Sequence, residues 1–213
     1  MRSIVQETFR AWSKQFEGEV PWMYLDVKGL VTVGVGNLID PIGAALGLPF
    51  LHADGSKALF GEISAEWHTI KNHQELAHQG YQRARGFCRL HLSDDGISAL
   101  VASKLASNWA FMARYFPNQD TWPAAAQLAS SSLAWAIGAG WPLIFKNCAA
   151  SAKAENWAAC AFECEINEHG NLGVVSRNKA MCQLFKYAAA GNDPDTLPVP
   201  DHTVLLPEVE ICG

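Results

Sequence analysis

The chain has 213 residues, 49% of them hydrophobic and 17% charged, with a formal charge of −5 at pH 7. That length suffices for one sizeable core or for two regions sharing a long helix. The acidic balance argues against a nucleic-acid partner, which calls for a basic stripe, and against reliance on long-range attraction to an anionic cell wall.

Met1 leads into a polar, amphipathic stretch with no basic n-region and apolar h-region behind it, so no secretory signal is read. No apolar run approaches membrane-spanning length. The expectation is a soluble chain made in the cytoplasm, with any substrate beyond it reached by release or delivery. Eight Trp residues supply core rings and also the flat platforms on which sugars stack. The six cysteines (Cys88, Cys148, Cys160, Cys164, Cys182 and Cys212) include no CxxC pair. Cys160 and Cys164 lie four apart with His169 nearby, but two further ligands at metal spacing are missing, so reduced, buried thiols are expected and no metal. A disulfide acquired after export stays open at this stage.

In chain order, Ser3 and Gln6 read as a capping box for a helix over 3–16, with Val5, Phe9, Trp12 and Phe16 at four-three-four spacing. Gly18 and Pro21 end it. Glu17 therefore falls at a helix C-terminus, where the dipole disfavours a negative charge. Met23–Leu25, a turn at Lys28–Gly29 and the β-branched run 31–36 read as a hairpin. The stretch 38–60, punctuated by Pro41, Gly43, Gly47, Pro49 and Gly55, is expected to be a long loop. Helices follow over 62–78, 94–115, 123–138, 150–165 and 176–190. Ser93 is expected to cap the second of these, above a stripe of Ile97, Leu100, Val101, Leu105 and Met112. Pro123 is expected in the first turn of the third, and Ser176 as the cap of the last. The tail from Gly191, with four prolines from Pro194 to Pro207, is expected to wrap the surface. This order defines an α+β class with one domain over 1–213: a β-hairpin and loop lobe over 17–60, a helical lobe over 61–190, and the tail.

The informative segment runs from Glu17-Gly18 through Tyr24-Leu25-Asp26 to Thr32-Val33-Gly34-Val35-Gly36. One carboxylate ends the helix, a second follows the first strand, and a hydroxyl sits on the second strand. Cleavage of a glycosidic bond needs an acid to protonate the leaving oxygen and a carboxylate on the opposite face to activate water or attack. The joint spacing Glu-x8-Asp-x5-Thr, with its glycines, is what separates these residues from ordinary surface carboxylates. Glu19 is the nearest decoy and is expected to be solvated. Thr32 alone would read as a strand former, and Gly34 and Gly36 as sites of close backbone approach.

That pattern, over residues 9–37, resembles the lysozymes of T-even tailed phages and the pesticin-type toxins that share their catalytic lobe. The resemblance implies a lysozyme-like fold and hydrolysis, without a cofactor, of the β-1,4 bond between N-acetylmuramic acid and N-acetylglucosamine. It implies Glu17 as general acid, Asp26 as the carboxylate that positions water and Thr32 as the assisting hydroxyl. Tyr24 and Gly36 match the motif around them. Ser131–Gly138 is similar to the family's central helix. Arg177, followed by Ala180, Leu184 and Phe185, is similar to its late helix, so Arg177 is expected to pair with Glu17. Such a pair opposes the acid's task, because a neighbouring cation favours a carboxylate while a general acid must hold a proton. Asn37 stands where many phage members have His. The longer 38–60 stretch, with Glu66-Trp67, Phe116-Pro117 and Trp122-Pro123, looks more like modules that secretion systems deliver against competitors, for which an immunity protein is an expected partner.

Trp22 and Trp67 are the better placed rings for sugar stacking; Trp12, Trp109, Trp135 and Trp157 fall on helical stripes and read as core. No HExxH, Gly-x-Ser-x-Gly elbow or phosphate loop occurs. Two other functions compete: a glycan- or partner-binding module without turnover, and a lytic transglycosylase using Glu17 alone, against which Asp26 argues.

Overall fold

A computed structural model of the chain describes residues 1–168 and 172–198. It is α+β: an N-terminal helix and a small antiparallel sheet precede a mainly helical region. The expected positions of His169, Cys212 and the tail beyond residue 198 lie outside the described residues.

Helix α1 spans Ser3–Glu17 and buries Val5 and Phe9, with Trp12 and Phe16 half-covered. Its start differs from the expected capping box. Arg2 is the N-cap, no side chain caps it, and Gln6 donates instead to the Met1 carbonyl. The entry to the helix is held from outside: Gln127 accepts the Arg2 amide at 2.8 Å, and the Arg2 guanidinium donates to the Trp122 carbonyl. At the other end the Gly18 amide closes the last turn on Lys14 O.

Strands β1 (Val20–Leu25), β2 (Val31–Gly34) and β3 (Asn37–Leu38) form a sheet in that order, one strand more than the hairpin expected. Tyr24 lies opposite Thr32, with an irregularity in register between Val20 and Tyr24. Strand alternation turns Met23 and Leu25 into the core and sends Tyr24 and Asp26 to the other face. The turn that follows is made by Asp26 itself, whose Oδ1 accepts the amides of Lys28 and Leu30, both at 2.9 Å.

The expected long loop contains a short helix α2 (Gly43–Leu46) and a strand β4 (Phe50–Leu51) that pairs with β5 (His91–Leu92). Two residues per strand are too few to leave an alternation pattern. Helix α3 (Phe60–Asn72) begins two residues earlier than expected, because the Glu62 carboxylate reaches back to the Leu59 amide at 2.7 Å. It stops at His73, and 74–78 continues as a 3₁₀ turn. A single turn α4 (Tyr81–Ala84) and a 3₁₀ turn over 85–87 lead back to β5. Glu66, buried in α3, accepts the amides of Arg89 and Leu90 and so clamps that return; burial pushes its carboxyl above the usual range.

Helix α5 (Asp94–Met112) is capped by Ser93 as expected, the hydroxyl accepting the Gly96 amide at 3.0 Å. Ile97, Val101, Leu105 and Met112 are buried, and Leu100 is half-covered. Helix α6 (Ala124–Ile137) is the central helix, buried almost continuously from Ala124 to Ala134, with Pro123 one position ahead of its first turn. After α7 (Trp141–Ile144), the expected helix over 150–165 is two: α8 (Lys146–Lys153) and α9 (Trp157–Glu163). Glu155 in a left-handed conformation breaks it, and Asn156 caps the second piece through the Ala159 amide. Helix α10 (Leu172–Ala189) starts before Ser176, which is therefore within the helix and not its cap. It packs on α9, α6 and α1. The first residues of the tail lie against the body, with the Ala124 amide donating to Pro194 O and Thr196 meeting Tyr187.

Cys88, Cys148, Cys160 and Cys164 are buried free thiols; Cys182 is half-covered. Burial pushes the Cys88 and Cys164 thiols up to about 12, far from reactive thiolate.

The sheet is tied to α3 by Lys71, whose ammonium donates to Asp40 Oδ2 at 2.6 Å and to Gly29 O at 2.8 Å, while Asp40 also accepts the Val31 amide. The Lys71 ammonium holds the Asp40 carboxyl below its ordinary range despite burial, with help from the Val31 amide. A carboxyl lowered by folding stabilises the fold above its unfolded pKa, and that stability is lost as pH falls through the folded value. Lys71→Met is therefore expected to lower the unfolding free energy by about 1 kcal/mol at neutral pH. In urea melts the gap to the parent should close as the pH drops below the carboxylate range. A neutral-pH midpoint equal to the parent's would show that the strut carries no stability.

Candidate active site

The C-terminus of α1, the first two strands and α10 meet at Glu17. Arg177 of α10 donates from Nη2 to Glu17 Oε1 at 2.6 Å, joining residues 160 positions apart in the chain. The expected pair is present. The Arg177 side chain is 6% exposed and that of Glu17 is 28% exposed, so the cation is sealed in while the carboxylate keeps a face to solvent. The guanidinium carbon lies 5.1 Å from the centre of the Phe16 ring, a cation–π contact. Among the described residues Arg177 Nε has no acceptor.

Gly36 forms the wall on another side of Glu17. A Cβ built on it would stand 3.2 Å from Glu17 Oε2 and 3.4 Å from Cδ, and its φ is +68°. Both observations call for glycine. The turn carrying it is tied internally, as Asn37 Oδ1 accepts the Val35 amide at 3.2 Å. Asn37 is buried and serves the turn.

Asp26 is half-exposed, and with Oδ1 occupied by two backbone amides its Oδ2 has no partner among the described residues. Tyr24 connects the two acids electrostatically. Burial raises its phenol pKa, and the negative charges of Glu17 and then Asp26 raise it further, so both carboxylates act on the same hydroxyl. Thr32, across the strand from Tyr24, is buried and donates its hydroxyl to Leu30 O at 3.2 Å, which leaves the oxygen able to accept.

Glu19 departs from expectation. Its side chain is 13% exposed and bonded to Arg10 Nε at 2.8 Å and Lys14 Nζ at 3.0 Å. Burial raises its carboxyl, but the bonds to Arg10 and Lys14 outweigh this and hold it below the ordinary range. It is a structural anion, joined through Arg10 to Asp94 and Ser98. A groove of about 580 Å³ lies there between α1 and α5, but its charges are spent on one another.

Of the two tryptophans expected to stack on sugar, Trp67 is buried with its indole N–H on Ile39 O at 2.9 Å, which withdraws it from that role. Trp22 is half-exposed, donates to Tyr81 O, and carries the Arg85 guanidinium 5.1 Å from its ring centre. Tyr81 stands edge-on to Tyr24 at 6.1 Å. Tyr81 and Arg85 come from α4 and the turn after it, a stretch without periodicity, and only their bulk and charge could have drawn notice. Trp135, read as core, is half-exposed and reaches the site's turn.

No protein-family model matches the sequence, and comparison with curated proteins finds no match.

Gly36→Ala is expected to lower stability by about 1–2 kcal/mol from the positive φ alone and also to displace Glu17. Gly55→Ala, at φ +84° with nothing within 4 Å, isolates the strain term. Thermal melts should show stability losses in both variants, and the Glu17 carboxyl ¹³C resonance should move only in Gly36→Ala. A Glu17 resonance unmoved by Gly36→Ala would detach the glycine from the site.

Proposed function

We propose that the chain is a peptidoglycan hydrolase, an N-acetylmuramidase of lysozyme-like fold, acting on the bacterial wall as a phage endolysin or a delivered antibacterial effector. The observation that carries this reading is Glu17 at the end of α1, bonded to the sealed Arg177 and set against Gly36. The motif over residues 9–37 and the late-helix arginine support it jointly.

The chemistry follows from the available atoms. Substrate covers the exposed side of Glu17, and that desolvation, with the helix-end placement, offsets the pull of Arg177 toward the carboxylate. Protonated Glu17 then donates to the oxygen that links the muramic acid to the next sugar, and the bond from that oxygen to the anomeric carbon breaks. A water held by Asp26 Oδ2, and donating to Thr32 Oγ1, attacks the carbon from the opposite face; its proton passes to Asp26. One water is consumed, the configuration inverts, and proton exchange with solvent resets both acids. A direct-water scheme needs carboxyls about 6.5–9.5 Å apart, against about 5–5.5 Å for a covalent one. Trp22 and Tyr24, extended by Tyr81 and Arg85, offer an aromatic and cationic wall for the glycan. No helix among the described residues is long and apolar enough to cross a membrane; the reading takes the wall to be reached by release or secretion. An immunity protein is the partner this reading expects if the chain is a toxin.

Purified peptidoglycan should lose turbidity with the parent protein, and mass spectrometry should find reducing-end muramic acid. Glu17→Gln should fold normally and lose nearly all of this activity, about 10²-fold or more. Anhydro sugars would replace hydrolysis by transglycosylation. Binding without bond cleavage would leave a glycan-binding module, and lysis by Glu17→Gln would remove Glu17 as the acid.

A further inference from the structure

We propose that Trp135 is a positioning residue for Glu17, acting from α6 through the backbone of the Gly34–Gly36 turn. The inference rests on Glu17 being the functional carboxylate. Trp135 donates its indole N–H to Val35 O at 3.0 Å, across 100 residues of chain. Val35 is wholly buried, so no water is at hand to take that place. The same residue's amide is held by Asn37, which means both backbone polar groups of Val35 are satisfied by side chains. Gly36, the next residue, is the one whose backbone lies against Glu17 Oε2.

The donor is itself fixed. The Trp135 ring meets Phe9 edge-on at 5.0 Å, and Phe9 is a fully buried residue of α1, the helix that ends in Glu17. Helix α6 therefore touches the acid's neighbourhood twice, once through the helix that carries it and once through the turn that faces it. Arg177 sets the carboxylate from one side; the Trp135–Val35 bond sets how closely the turn approaches from the other. Losing the N–H leaves a buried carbonyl unpaired, and the turn's cheapest response is to move, taking Gly36 with it.

Trp135→Phe keeps a ring against Phe9 and removes the donor. Trp67→Phe is the matched control, since it removes an indole bond of 2.9 Å to another buried carbonyl, that of Ile39, outside the turn. Both variants are expected to melt earlier. Only Trp135→Phe should lower kcat for muropeptide release, roughly tenfold or more, with KM changed less than about twofold. Benzothienylalanine at 135, which keeps the bicyclic shape and lacks the N–H, should behave the same and serves if the Phe variant does not fold. Independently of turnover, the Glu17 carboxyl ¹³C resonance and the Gly36 amide resonance should shift in Trp135→Phe and stay in Trp67→Phe. Should the parent release no muropeptide while these resonances respond in that pattern, the muramidase reading fails and the positioning role stands. Equal kcat losses in the two variants, or a Glu17 resonance indifferent to Trp135→Phe, overturn the proposal.

Discussion

A buried guanidinium has few ways to exist in a folded chain, and the Arg177–Glu17 bond is the one this fold uses. Removing an arginine from water costs several kcal/mol unless a carboxylate and further contacts compensate. Here the carboxylate comes from the end of the first helix and the flat face from Phe16 one residue before it. Helices α1 and α10 are thus joined by an ion pair as well as by packing. Helix α6 fills the space between them with small residues, buried almost without interruption from Ala124 to Ala134, which lets α1 and α10 come close enough for the pair to form.

The same bond gives the site its asymmetry. Arg177 occupies one oxygen of Glu17, Gly36 crowds the other, and solvent reaches what remains. Asp26 is fixed differently, by the amides of a turn that it builds itself, so its orientation depends on local backbone and not on distant packing. One acid is placed by tertiary structure and the other by the five residues from Asp26 to Leu30. Glu19, only two residues from Glu17, shows how far neighbours can diverge: on the strand side of Gly18 it faces Arg10 and Lys14 and becomes part of the surface between α1 and α5.

Much of this was legible because it is local. The 3.6-residue spacing of Val5 and Phe9, the Ser93 cap and the alternation that buries Met23 and Leu25 while leaving Tyr24 and Asp26 outside are all written within a few positions. The pairing of Arg177 with Glu17 was legible only through resemblance, since nothing in either residue's surroundings points to a partner 160 positions away. What stayed hidden depended on distant donors. The start of α1 is held by Gln127, not by Ser3, and the β4–β5 pair has no pattern because two-residue strands have no room for one. The break at Glu155 lies in a run of good helix formers, and its left-handed backbone carries no glycine to announce it. Trp135 looked like core because its stripe position is real; its N–H was the part that mattered.

The irregular register between Val20 and Tyr24 has a consequence for how this chain can change length. Upstream of Tyr24 the strand already carries a bulge, so a residue gained or lost there can be absorbed by redrawing that bulge. From Tyr24 to Thr32 no such slack exists: pairing is regular, the turn is closed by Asp26, and a single-residue slip would exchange inside for outside. Extra length upstream of Tyr24 would leave the inner and outer faces of the strand as they are, whereas a residue added between Tyr24 and Thr32 would turn one strand's outward residues inward.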